Sequence, residues 1–202
     1  MAAIAIRLTG ITKRFPGTLA NDSINLTIEP GTVHALLGEN GAGKTTLMNI
    51  LAGRYRPDAG EISVGGRAVQ FSAPKDALRS GIGMVHQHFM LVGNHTVAEN
   101  VALGLDAPRF LLRRGRLEAE VRSLSETYRL PVDPRARIDE LSLGQQQRVE
   151  ILKLLHRNAD LLILDEPTSV LTPAEVEGLF ATLRRIVRDG RAVVFITHKL
   201  DE

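Results

Sequence analysis

Gly38-Glu39-Asn40-Gly41-Ala42-Gly43-Lys44-Thr45 fits the pattern G-x-x-x-x-G-K-S/T, with an apolar run, Val33–Leu37, before it and a helix-forming run, Thr46–Ala52, after it. Glycines in such a loop let backbone N–H groups turn inward and wrap phosphate oxygens where side chains would clash. A helix starting near Lys44 aims its positive dipole end at the same anion. Lys44 then reaches the β- and γ-phosphates, and the Thr45 hydroxyl can ligate Mg²⁺. Strand, glycine-rich loop and helix in this order predict a nucleoside triphosphate site built from Gly38, Glu39, Asn40, Gly41, Ala42, Gly43, Lys44, Thr45 and Thr46.

Working outward, short aliphatic runs alternate with helical patterns, which predicts an α/β fold with a mixed, largely parallel sheet. Ile4, Ile6 and Leu8 alternate, as do Ile24, Leu26 and Ile28, so the start of the chain reads as half-buried antiparallel strands, closed by a turn at Pro30-Gly31. Residues 60–71 hold a second β stretch broken by Gly65-Gly66, a hairpin, and Gly83–Val85 is a further short strand. From about 89 to 158 the character changes. Thr96 with Glu99 makes a capping box, an Arg- and Glu-rich helical pattern runs through 116–130, and Ser142 with Gln145 caps another helix. These residues are expected to form a helical subdomain inserted into an α/β core of about 1–88 and 159–202. Leu161–Leu164 returns as a buried strand. Thr172, Pro173 and Glu175 supply N-cap, N1 and N3 of a helix that Gly190 stops, and Ala192–Thr197 is the last strand. The chain stops at Glu202 where another helix would begin, and it reads as part of a longer protein.

Composition excludes several classes of function. The 202 residues contain no cysteine, which removes disulfide frameworks, thiolate zinc sites and cysteine nucleophiles together. Lys and Arg number 25 against 23 Asp and Glu, so the net charge of +2 does not describe a concentrated nucleic-acid-binding surface. Arg109, Arg113, Arg114 and Arg116 make the one basic cluster, which reads as a solvated helix face. No apolar run approaches the roughly 18 residues of a membrane span, and Met1–Gly10 lacks the basic start of a secretory signal. A soluble, cytoplasmic chain is expected, tied to any membrane only through a partner.

The strand Leu161–Leu164 ends in Asp165-Glu166. A buried strand of this kind delivers Asp165 to Mg²⁺ from the carboxyl edge of a sheet, and leaves Glu166 to polarise an attacking water. Two solvated acids capping a strand are the plainer alternative; the phosphate loop upstream favours chemistry.

Leu141-Ser142-Leu143-Gly144-Gln145 lies a short helix upstream of that strand. With this motif in place the whole chain resembles the ATP-binding subunits of ABC transporters. The resemblance implies a P-loop NTPase core with an antiparallel β subdomain and the inserted helical subdomain, and ATP and Mg²⁺ as ligands. It implies that Ser142, Gly144 and Gln145 serve the nucleotide of a facing domain. Gln87 matches the glutamine that contacts Mg²⁺ or water, and His198 the histidine that contacts the γ-phosphate. Phe15 matches the aromatic that stacks on adenine, and Lys44, Gln87, Glu166 and His198 become the catalytic set. His34, His95 and His156 are expected to be structural or surface residues. The implied partners are transmembrane permease subunits, a second ABC ATPase domain (in the same chain or a second copy) and, indirectly, a substrate-binding protein, with no nucleic acid. The implied location is the cytoplasmic face of the inner membrane.

Two positions depart from the commonest family form. Leu143 stands where a glycine is usual, and Thr172 where an aspartate is usual, which puts cross-talk between paired sites in doubt more than binding. Ser142–Arg148, Leu171–Glu175 and Gly83–Val92 resemble the N-terminal half of tandem ATPases for simple-sugar and nucleoside importers. The alternatives are a soluble ABC-type ATPase acting on nucleic acid or ribosomes, which salt-dependent RNA binding would reveal, and an ATP-binding half with little hydrolysis of its own, against which Glu166 argues.

Overall fold

The computed structural model describes residues 4–104 and 114–198. Arg109 and Arg113 of the basic cluster lie outside the described residues; Arg114 and Arg116 are tied to Glu118 and Glu120 one turn along their helix.

Two four-stranded sheets organise the chain. In the first, β1 (Ile6–Phe15) pairs antiparallel with β2 (Thr18–Ile28) on one side and with β4 (Ala59–Val64) on the other, and β5 (Arg67–Val69) extends β4. The alternating residues set the register: Ile6 faces Ile28 and Val64, and Leu8 faces Leu26 and Ile62. β1 and β2 run well beyond the alternation in sequence, to a tight connection at Pro16-Gly17. Register shifts after Leu8, Ile11 and Lys13 explain why, since each bulge resets which face the next side chain takes.

The second sheet is parallel throughout, in the order β3 (Val33–Leu37), β8 (Ala192–Thr197), β7 (Leu161–Asp165), β6 (Ile82–Val85). Among the described strands antiparallel pairing is thus confined to the first sheet, with one isolated antiparallel bridge, Thr96 to Arg137, outside it. Along β7, Leu161 and Ile163 pack towards α1 (Lys44–Leu51) and the antiparallel sheet, in a core with Ile6, Ile28, Met48 and Ile62. Leu162 and Leu164 pack the other way, with Val101 of α3 (Val97–Ala102), Val121 of α4 (Arg114–Tyr128), Leu152 of α5 (Leu143–His156) and Leu183 of α6 (Pro173–Arg188). The four aliphatic residues of β7 are fully buried, and truncating any one to alanine costs about 2–5 kcal/mol. The helices between 97 and 156 share this core with the sheet rather than enclosing one of their own.

The helix starts follow the sequence signals. Thr96 and Ser142 side chains each accept a bond from the N3 backbone N–H, while the Glu99 and Gln145 side-chain oxygens accept one from the cap N–H. A short helix, α2 (Pro74–Arg79), was not legible from periodicity; Pro74 opens it, and the Asp76 carboxylate accepts from Ser72 and Ala73 N–H. β3 is the end strand of its sheet among the described residues, and Val33 and Leu37 are 40% and 49% exposed on it. Among the described residues no helix is long and apolar enough to cross a membrane.

Candidate active site

Because β3, β8, β7 and β6 are parallel, their carboxyl ends share one edge, the usual ligand edge of such sheets. Leu37 pairs with Thr197, Ile196 with Asp165, and Leu164 with Val85. Loop 38–43, His198, Asp165-Glu166 and Gln87 therefore follow one another along that edge, in an order the sequence does not carry. Glu166 falls between His198 and Gln87.

The loop is held from behind. Gly43 has φ +85°, and a Cβ there would lie 2.1 Å from the Ala20 carbonyl oxygen, so no other residue fits. Asn21 Nδ2 donates to the Gly43 carbonyl at 3.2 Å. Gly43 is also the N-cap of α1 and brings no side-chain oxygen, which leaves the first-turn N–H groups without a capping side chain. The Lys44 ammonium lies across the loop, donating to the Gly38 and Glu39 carbonyls at 2.6 and 2.8 Å. An ammonium so placed could exchange carbonyl oxygens for those of an anion in the loop with little side-chain movement.

Thr45 Oγ1 and Asp165 Oδ1 stand 3.5 Å apart. Burial, then the neighbouring Glu166 charge, pushes the Asp165 carboxyl above the usual carboxylate range, against the opposing pull of Thr45 and Lys44. A hydroxyl and a desolvated carboxylate with a second carboxylate beside it form a hard oxygen donor set short of positive charge. That set fits Mg²⁺, which takes one or two protein oxygens and fills the rest of its octahedron with water and phosphate.

Glu166 carries the most constrained geometry. Its φ of +47° is left-handed, a conformation that costs a residue with a Cβ about 1–2 kcal/mol. Its N–H donates to Ile196 O at 3.0 Å, and its carbonyl accepts from Ser169 N–H at 3.2 Å and from the Ser169 hydroxyl at 2.8 Å. The side chain is clasped on both oxygens: Oε1 lies 3.1 Å from His198 Nδ1, and Oε2 accepts from Gln87 Nε2 at 3.2 Å. Strained backbone of this kind gathers where a side chain must be aimed. Lys44, Thr45, Asp165, Glu166, Gln87 and His198 are thus brought together. Gln87 rests on Glu166 and not on the Thr45–Asp165 pair.

Phe15, 37% exposed at the β1–β2 connection, meets Tyr55 edge to face with centroids 5.5 Å apart, and Lys13 Nζ lies 5.6 Å from its ring centre. Ser142 and Gln145 sit apart from the loop, at the start of α5, engaged with each other. Gly144 is buried, and a Cβ there would lie 2.3 Å from Glu175 Oε1, so a larger residue would have to push that carboxylate aside. Of the other histidines, His34 bonds Thr32 and His156 bonds Glu120. Asn21, Tyr55 and Gln147, whose Nε2 donates to Pro167 O at 2.7 Å, escaped the sequence reading. Each acts across a long stretch of chain, and no local motif announces it.

A parallel sheet with a phosphate loop, two carboxylates and a histidine on one edge defines a nucleoside-triphosphate-binding fold of the P-loop class. Residues 21–169 match the ABC transporter family, and the chain belongs to that family. It is 50% identical to the nucleoside import ATP-binding protein NupA of Lactococcus lactis, over 98% of this chain and 39% of that protein. It is 48% identical to the glucose import ATP-binding protein TsgD13 of Haloferax volcanii, over 98% of this chain and 41% of that protein. The chain therefore spans about two fifths of the length of these relatives. A dimeric ATP-binding cassette in a post-hydrolysis state with ADP and Pi superposes with a TM-score of 0.81 at 26% identity, over 97% of this chain and 89% of that one.

Proposed function

We propose that this chain binds and hydrolyses ATP as the motor domain of an importer for a simple sugar or nucleoside. The observation that carries this is the clasp on Glu166, held by Gln87 and His198 beside Lys44, Thr45 and Asp165. Such a carboxylate orients a water and takes its proton as the water attacks in line on the γ-phosphate. Phosphoryl transfer through a loose transition state asks the protein mainly to position groups and offset charge. Lys44 and the α1 N–H groups receive phosphate oxygens. His198, whose Nδ1 lies 3.1 Å from Glu166 Oε1, can donate a ring N–H to phosphate and help hold the carboxylate in place. Thr45 and Asp165 would hold Mg²⁺, which would supply neutralisation of phosphate charge.

Phe15 stacks the base. Ser142, Gly144 and Gln145 complete the site of a facing ABC domain, in the same polypeptide or a second copy, so that two domains enclose two nucleotides. Residues 89–158 act as the helical subdomain on a core of 1–88 and 159–202. Permease subunits dock at the segment after Gln87, where Glu150 and Lys153 grip the backbone N–H and carbonyl of Met90 at 2.7 and 3.0 Å. A substrate-binding protein delivers cargo to those permeases, and the domain rides peripherally on the cytoplasmic face of the membrane. The relatives' transport roles support the cargo class.

The test is Glu166→Gln in the full-length protein. Turnover is expected to fall by about 100-fold or more, with ATP binding kept and an ATP-bound dimer accumulating in size exclusion. Turnover at the parental rate would overturn the assignment.

A further inference from the structure

Gln147 lies in the second turn of α5, is 3% exposed, and donates its Nε2 to the carbonyl of Pro167, the residue next to Glu166. The bond joins two elements that sequence holds 20 residues apart. A second tie lies at the far end of the same segment. Glu175 Oε2 accepts from Thr172 N–H and hydroxyl at 3.0 and 2.9 Å, while its Oε1 packs where a Cβ on Gly144 would be and faces Arg148 Nη2 at 3.9 Å. Residues 167–175 are thus pinned at both ends to the first turns of α5. The start of that helix presents exposed Ser142. Meanwhile the backbone that the segment continues is the left-handed turn aiming Glu166.

We propose that Gln147 is a positioning residue for Glu166: its amide ties the start of α5 to the backbone carrying the general base, so that seating Ser142 on a facing domain's nucleotide sets the aim of Glu166 in its own domain. This rests on the assignment of Glu166 in the preceding section. The linkage runs within one chain. A displacement of the Ser142 end carries Gln147 with it, Gln147 carries Pro167 O, and the peptide that follows Glu166 turns with it. Ile196 of β8 holds the same turn from the sheet side and Ser169 closes it locally, so the aim of the carboxylate is set jointly by the sheet and by α5. A buried carbonyl that loses its donor seeks another, and the strained turn is the part free to give.

The experiment compares the parent, Gln147→Met, Glu166→Gln and the double variant in the full-length protein, with steady-state kinetics, equilibrium binding of a fluorescent ATP analogue and thermal melting. Gln147→Met keeps length and burial and removes the donor. It is expected to lower kcat at least tenfold, with KM and the analogue's Kd within twofold of the parent. In the Glu166→Gln background it should change the residual rate by less than twofold, because it acts through a carboxylate no longer there. An unchanged kcat overturns the proposal, as does a parallel loss of kcat and nucleotide affinity, or an equal fall in both backgrounds; each of these marks a merely structural bond. If Gln147→Met melts below assay temperature, Gln147→Asn, too short to reach Pro167 but still polar, takes its place under the same criteria. Undiminished turnover in Glu166→Gln itself would instead refute the Glu166 assignment, a separate outcome.

Discussion

Two helices in this domain begin with glycine and serine respectively, and the difference sets how each meets an anion. α1 starts at Gly43, in a left-handed conformation with no capping side chain, so its first-turn N–H groups have no protein oxygen competing for them from the cap. α5 starts at Ser142 with a closed capping box, its hydroxyl accepting from Gln145 N–H at 3.3 Å and its own N–H donating to Gln145 Oε1 at 3.0 Å. The first is built open, and needs only that Lys44 exchange two carbonyls for phosphate. The second is already satisfied, and an anion there must displace or share bonds that stabilise the helix. On the function proposed above, a nucleotide would lodge first at α1, and α5 would engage one only when a facing domain presents it.

The sharpest way to break this contrast is to close the open end. Gly43→Ala places a methyl 2.1 Å from the Ala20 carbonyl in backbone that disfavours a side chain; ATP binding, followed by titration of a fluorescent analogue, should drop by about 100-fold or more. Asp165→Asn acts one step further out. It removes a desolvated charge whose carboxyl sits above the usual range. A raised carboxyl favours folding when protonated, and that stability is lost as pH rises through the acid range and beyond. At neutral pH the substitution should therefore raise the melting temperature, by about 1–3 °C. Mg²⁺-dependent strengthening of nucleotide binding should vanish at the same time, and a melting curve with and without Mg²⁺ reads both effects. Ser142→Ala, which opens the closed end, is the mildest: loss of the cap costs about 1 kcal/mol, or about 2–4 °C in melting temperature. Nucleotide affinity of a single domain should stay within twofold of the parent while turnover of the paired assembly falls.

Much of this was written in the chain as local pattern. Gly38–Thr45, the capped helix starts at Thr96, Ser142 and Thr172, and the four-residue apolar run of β7 each declare their structure within a few residues. What stayed hidden depends on distance or on broken periodicity. The bulges in β1 erased the alternation that would have carried the strand on to Phe15, so the hairpin at Pro16-Gly17 went unread. α2, six residues long, offers too few turns for a helical period; Ser72, Pro74 and Asp76 were its only signal. The resemblance assigns Gly144 to a facing nucleotide, and the fold also sets it against the carboxylate of Glu175. The place of Glu166 between Gln87 and His198 follows from strand order alone, which no stretch of residues spells out.

The end strand β3 has a practical corollary. Its free flank among the described residues offers a row of backbone donors and acceptors, and Val33 and Leu37 beside it are apolar and partly exposed. Short and uncharged at its exposed positions, such an edge is a template for pairing with another molecule. Concentrated preparations of the domain should self-associate there first, and a lysine in place of Val33 is the smallest change that would keep them dispersed.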